Sequence, residues 1–274
     1  MRFPGLALPA NFLFYKSNPL PLHLYDFALH FFRHWSNIRA LTFYVPKLES
    51  EEEARYVRIM IEQAEQLLRR MHPDYKTGSV RLIVVVENAR ALFRLEEIMD
   101  ALGDYFVGAS LGWHDFLAST ARLFKHDSNY RVPVKADPNI VIHSIKASHD
   151  LLVRAVGRRG GLKIGGMYGV LPVHQELSSA SFQVTLRGFF KDIIAQLRRG
   201  LTGFWVAQAD FVRIGLALIE AWREYAIESS SESLERLVND LLITKEYREE
   251  VLSFIFAGDI QGLQSFIFKK DKFS

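Results

Sequence analysis

Residues 81–86 read RLIVVV, a run without a polar face, and an acid, Glu87, closes it. A strand that is apolar on both sides must be covered on both, which is the condition of a parallel strand in an α/β protein. Comparable segments recur at 41–46 (LTFYVP), 105–111 (YFVGASL), 162–170 (LKIGGMYGV) and 203–208 (GFWVAQ), with a shorter one at 140–142. Stretches of helical period lie between them. Ser50 and Glu53 form a capping box ahead of Val57, Met60, Ile61, Ala64, Leu67, Leu68 and Met71, which share one helical stripe. Asn88 opens a helix to Leu102 that Gly103 stops. Further helices are expected at 116–124, up to residue 156, at 181–197 and at 210–227.

Alternating strands and helices predict parallel strands with helices outside. Five strands are too few to close an eight-stranded barrel. The expected fold is therefore α/β, an incomplete (β/α)8 TIM-type barrel over residues 1–228. A serine-rich linker at 229–233 leads into a short helical C-terminal segment, 229–274, with an aromatic-basic end. An unpaired parallel edge exposes a row of N–H and C=O groups. The N-terminal segment, a second copy in a homo-oligomer, or a partner chain is expected to cover it.

Composition narrows the function classes. The 274 residues hold no cysteine, which excludes disulfides, thiolate metal sites and thiol nucleophiles. A net charge of +3, without an aromatic-basic reader motif, argues against nucleic acid as a partner. A basic rim would still favour an anionic ligand. No apolar run reaches the roughly 18 to 20 residues of a membrane span, and residues 1–15 lack the layout of a signal peptide. The expectation is a soluble, cytoplasmic protein.

Two carboxylates carry the candidate chemistry. Glu87 ends one strand, and Asp115 follows another across Gly112-Trp113-His114. Parallel barrels gather their strand C-termini on one face, where active sites are built. Two carboxylates brought together there repel unless a proton or a cation bridges them. Mg2+ suits the pair, because it takes one or two carboxylates and completes its octahedron with water and substrate oxygens. The plainer reading is a helix cap or an ion-pair partner.

Longer segments resemble the malate synthase family. Tyr25-Asp26-Phe27-Ala28-Leu29-His30-Phe31-Phe32 is similar to the family's segment before its central strands. Phe43-Tyr44-Val45-Pro46-Lys47-Leu48-Glu49-Ser50 resembles its Tyr-Leu-Pro-Lys-Leu-Glu-Ser stretch. Val86-Glu87-Asn88 and Leu95-Glu96-Glu97-Ile98 look like its metal-site glutamate and the helix beyond. Gly112-Trp113-His114-Asp115-Phe116 sits where the family has Gly-Arg-Trp-Asp-Tyr, 28 residues after Glu87, the family's own spacing. Arg158-Arg159, Ile164-Gly165-Gly166-Met167 and Gly203-Phe204-Trp205-Val206-Ala207 match further family stretches.

The resemblance implies a Claisen condensation of acetyl-CoA with glyoxylate, giving malate and CoA, with Mg2+ on Glu87 and Asp115. Gly112, Trp113 and His114 would line the substrate site, and backbone N–H groups of that turn would steady a substrate oxygen. Arg158, Arg159 and Lys163 would meet CoA phosphates, and Asp240 is the candidate general base.

This sequence also departs from the family. The Arg-Pro-Arg-Gly-Trp-His segment that carries the enolate-stabilising arginine has no match, and Arg2 is the sole arginine before Asp26. The family's early acidic strand is missing, so its N-terminal part and its C-terminal domain are expected to be absent. Asn239-Asp240-Leu241-Leu242 fits a segment ahead of that domain as well as it fits the catalytic-base motif. Gln208-Ala209 replaces His-Pro, and Phe189 to Ile194 replaces a charged run, which predicts a covered helix face. Two other readings stand beside the enzyme: a catalytically impaired remnant that keeps the metal-site geometry, and an interaction protein with an open sheet edge.

Overall fold

The structure, a computed structural model, describes residues 1–130, 143–173 and 179–209, together with 211, 212, 215, 216, 219 and 222. Asp240, the strand expected at 140–142, the linker at 229–233 and the segment 229–274 lie outside the described residues. The chain divides into two units, residues 1–134 with 144–164, and residues 135–143 with 165–274.

The first unit opens with a hairpin that the sequence reading missed. β1 (Pro9–Tyr15) pairs antiparallel with β2 (Asn18–Pro21) across Lys16 and Ser17, both at positive φ. Two positive φ angles make the turn whose twist suits a two-residue hairpin, but it favours Asn-Gly, and Lys-Ser gives no such signal. α1 (Leu22–His34) follows at once. The repeating unit then begins with β3 (Thr42–Pro46), α2 (Glu51–Met71) and β4 (Arg81–Val86). Next come α3 (Ala89–Phe93), α4 (Leu95–Leu102), β5 (Phe106–Leu111) and α5 (Trp113–Leu123). α6 (His143–Arg158) leads into β6 (Leu162–Tyr168).

The strands are parallel and follow chain order, as right-handed βαβ crossovers require. Val85 of β4 lies opposite Pro46 of β3 and Ser110 of β5. With side chains alternating along a strand, Ile83 and Val85 share a face with Glu87, while Leu82, Val84 and Val86 take the other. All five of these apolar residues are buried, as the run RLIVVV demands. On the opposite face of β3, Phe43 packs against Phe3 at 5.0 Å and against Phe27 of α1 at 5.4 Å between ring centroids.

The outer edge of β3 is occupied by the chain's own first residues. Phe3 N–H donates to Tyr44 O and Tyr44 N–H donates to Met1 O, both at 2.8 Å, so Arg2 stands parallel to Tyr44. Met1 to Phe3 thus satisfies edge groups that would otherwise lie bare.

Caps fall where the sequence puts them. Ser50 Oγ accepts from Glu53 N–H at 3.5 Å, Asn88 Oδ1 accepts from Ala91 N–H at 2.8 Å, and Gly103 takes φ +60°. The single helix expected over 88–102 is corrected to two, α3 and α4, broken at Arg94. Arg94 leaves helical geometry (φ −109°, ψ 21°), and its guanidinium is held by Glu51 in the first turn of α2, with Nε 2.7 Å from Oε2. Under the helices, buried Glu65 accepts from the hydroxyls of Tyr75 at 2.6 Å and Tyr105 at 2.7 Å. Burial and that carboxylate raise the pKa of both phenols well above their ordinary value.

The second unit contains the rest of β6, α7 (Ala180–Arg198) and β7 (Gly203–Val206). Phe189 and Ile193 of α7 are fully buried, and Phe189 packs against Phe204 and Phe211. The covered face predicted for 189–194 is present at both positions. Along the chain, strands alternate with helices and β3 to β6 pair in parallel, an α/β fold of the incomplete TIM-barrel type. No described helix is long and apolar enough to cross a membrane.

Candidate active site

Three consecutive strands end in charged residues. Lys47 follows β3, Glu87 follows β4, and Asp115 sits in the first turn of α5 after β5. Because the strands are parallel and in register, all three emerge at one end of the sheet. Arg2 reaches the same place from the segment beside Tyr44.

Glu87 is the buried centre of this group, 4% exposed. Arg2 Nη2 stands 2.7 Å from its Oε1, and Lys47 N–H donates to its Oε2 at 2.8 Å. Lys47 can aim its N–H there because its backbone is left-handed, φ +59°. A non-glycine residue in that region carries strain of about 1 kcal/mol or more, and such strain gathers at functional sites. The Lys47 ammonium is 3.3 Å from Asp115 Oδ1 and 4.0 Å from Glu87 Oε2.

The carboxyl groups of Glu87 and Asp115 face the same Lys47 ammonium, and each influences the charge of the other. Burial, and then the Asp115 contact, push the Glu87 pKa above the usual carboxylate value, while Lys47 and Arg2 pull it back. Burial also works to raise Asp115. Its hydrogen bonds with Glu87 and Lys47, and the charges of Lys47 and Arg2, outweigh burial and set it below its ordinary value. The two acids are thus set apart, with Glu87 the weaker and Asp115 the stronger.

Gly112 makes room for this arrangement. A Cβ there would lie 2.7 Å from Glu87 Cγ and 3.1 Å from Val85 Cγ1. Its N–H donates to Val86 O at 2.9 Å and is thereby committed to the backbone. Gly112 thus gives Glu87 its space. Trp113 and His114 are adjacent at the start of α5, with their rings stacked 3.6 Å apart between centroids.

The basic trio lies elsewhere. Arg158 ends α6 and Lys163 is the second residue of β6, so Arg158, Arg159 and Lys163 stand at the N-terminal end of the strands. Arg158 pairs with Glu96 at 2.7 Å, and Arg159 pairs with Asp100. The carboxylate pair is at the opposite end.

Arg2 and Lys47 were the residues that sequence reasoning passed over. Arg2 was set aside for want of a motif, and Lys47 was noticed only as one letter of a family segment. The available signal was position: Lys47, like Glu87, immediately follows an apolar strand.

Residues 1–244 match the family model for the TIM barrel domain of malate synthase. The chain belongs to the malate synthase family. It is 28% identical over 215 residues to the glyoxysomal malate synthase of Cucumis sativus, and 27% identical over 217 residues to the malate synthase of Arabidopsis thaliana. These alignments cover 76% and 77% of this chain but 37% of each relative. This malate synthase-family chain thus spans little more than a third of the length of those relatives. The crystal structure of RipC from Yersinia pestis superposes with a TM-score of 0.44 at 16% identity, over 80% of this chain and 74% of that one, too loose a fit to bear on the site.

The donor set fits a divalent cation. Among the described residues no group of three or more His, Asp or Glu forms a metal cluster, yet magnesium requires only one or two carboxylates. Glu87 and Asp115 are both hard oxygen donors, and one ammonium, that of Lys47, already serves the two of them. The missing Cβ of Gly112 lets Glu87 lie where Asp115 can meet it.

Proposed function

We propose that this malate synthase-family chain catalyses the condensation of acetyl-CoA with glyoxylate, giving malate and CoA, with Mg2+ held by Glu87 and Asp115. The observation that carries the reading is the placement of these two carboxylates at the C-terminal ends of adjacent parallel strands, with one ammonium serving both. When bound there, magnesium would act as a Lewis acid on the aldehyde and as a template for glyoxylate's oxygens.

The chain's own residues do the rest. Lys47 N–H and the Arg2 guanidinium each fix one oxygen of Glu87, so that carboxylate is oriented before substrate arrives. A methyl proton leaves acetyl-CoA for a base, for which Asp240 remains the sequence candidate. The enolate carbon then attacks the aldehyde carbon, and water cleaves the thioester to release CoA. Negative charge builds on the thioester oxygen as the enolate forms. Arg2, half exposed beside Glu87, supplies a fixed positive charge at the edge of the site. The position of Arg2 favours a working enzyme over an impaired remnant. Arg158 and Arg159, ion-paired at the far end of the strands, are weaker candidates for CoA phosphates than the sequence alone suggests.

The test is direct. Purified chain supplied with Mg2+, acetyl-CoA and glyoxylate should release free thiol, and release should stop when either substrate or the metal is withheld. Absence of thiol release at high protein concentration, with Mn2+ binding retained, would establish the remnant instead.

A further inference from the structure

Lys47 is engaged at the site in two ways, and only one of them is structural. Its backbone N–H holds Glu87 Oε2 at 2.8 Å, an interaction that does not use the side chain. Its ammonium lies 3.3 Å from Asp115 Oδ1 and 4.0 Å from Glu87 Oε2, so one cation serves both carboxylates. The left-handed backbone at φ +59° brings backbone and side chain of one residue to bear on the same pair. The stem runs past Gly5, where a Cβ would come 3.8 Å from Lys47 Cδ, an ordinary contact that leaves the stem unclamped. The side chain is 53% exposed, and its partner Asp115 52% exposed, so the ammonium can leave without crossing packed core.

We infer that the Lys47 ammonium is a resident counter-cation for the Glu87–Asp115 pair, which a divalent metal must displace before it can bind. The inference rests on the proposed metal role of the two carboxylates. Lys47 is a positioning residue in this account. It keeps the two carboxylates together while the metal is away and competes with the metal for them. A dication and an ammonium cannot share these oxygens closely, because their mutual repulsion would oppose the attraction each has for the pair. Displacement turns the ammonium outward to the rim, where it meets the anionic end of an incoming substrate. Metal and then anionic substrate is the order this predicts.

The sign of the effect separates competition from simple support. If Lys47 merely braced the site, losing its charge would weaken metal binding. Competition requires the opposite. In calorimetric titrations with Mn2+ alone, K47Q should bind about fivefold more tightly than the wild type, the weight expected of an ion pair exposed to this degree. K47R, which keeps the charge, should return affinity to near the wild-type value. E87Q should abolish the site-specific heat in either background. Equal or weaker Mn2+ binding by K47Q, with the Glu87-dependent heat still present in the wild type, overturns the counter-cation role and leaves the metal site standing. Heat that survives E87Q, or is missing from every variant, overturns the metal site itself and this inference with it.

Discussion

Glu87→Gln is expected to reduce thiol release by at least about a thousandfold and to remove specific Mn2+ binding, while leaving the fold intact. Glutamine preserves the shape of the side chain against Gly112, and its amide can still meet Arg2 or Lys47 N–H through one oxygen. What it removes is the negative charge. With Glu87 neutral, Asp115 is the one carboxylate left at the pair, and a hard dication loses half of the charge that would hold it there. Lewis-acid polarisation is commonly worth several kcal/mol, so a loss of about three orders of magnitude follows. Asp115→Asn should lose activity and Mn2+ binding in parallel. A folded Glu87→Gln protein that kept near-native turnover would show that the carboxylate pair does no chemistry.

Arg2→Ala is expected to lower kcat by about a hundred- to a thousandfold, the range seen when one preorganised donor to a developing oxyanion is removed. KM for glyoxylate should change far less. The side chain is half exposed and the backbone bonds of its neighbours Met1 and Phe3 to Tyr44 remain, so the edge of β3 stays covered and the fold should survive. A second readout distinguishes charge from packing. Arg2 helps to pull down the Glu87 pKa, so its loss leaves Glu87 protonated to a higher pH. The protonated form is stabilised in the folded site, and a metal must displace that proton. Mn2+ binding by Arg2→Ala should therefore move to higher pH relative to the wild type, and Arg2→Lys should restore most of that shift. Unchanged kcat and an unchanged pH profile would show Arg2 to be a surface ion pair.

The sequence made the strand-helix alternation legible because RLIVVV, LTFYVP and YFVGASL leave little choice. A fully apolar run of five or six residues followed by a capped helix has few other solutions. Glu87 and Asp115 were legible for a related reason: a charge at the end of a buried strand stands out, and their spacing matched a known pattern. The cations around them were not. Arg2 reaches Glu87 only because Met1 to Phe3 pairs with Tyr44, more than forty residues away, and no local periodicity announces such a pairing. Lys47 acquires its double role from a left-handed φ, which a lysine codon does not advertise. The β1–β2 hairpin escaped for the same reason, its turn being built from Lys16 and Ser17 where Asn-Gly would have been recognised. The break at Arg94 depends on a tertiary partner, Glu51, and helical periodicity alone reads straight through it.

Family membership, by contrast, was carried by ordered blocks spread over the chain, and the family model covers 1–244. Arg2, Lys47, Glu87 and Asp115 converge without the motif that usually supplies the arginine. A short segment beside β3 thus provides a cation at the carboxylates.

The central claim is that one divalent cation is held jointly by Glu87 and Asp115. Crystals of the chain soaked in Mn2+ and measured for anomalous scattering address it most directly. The account predicts a single strong peak within bonding distance of an oxygen from each carboxylate, with the Lys47 ammonium turned away. A site with no peak between the two residues at saturating Mn2+, while Lys47 still bridges them, would contradict it.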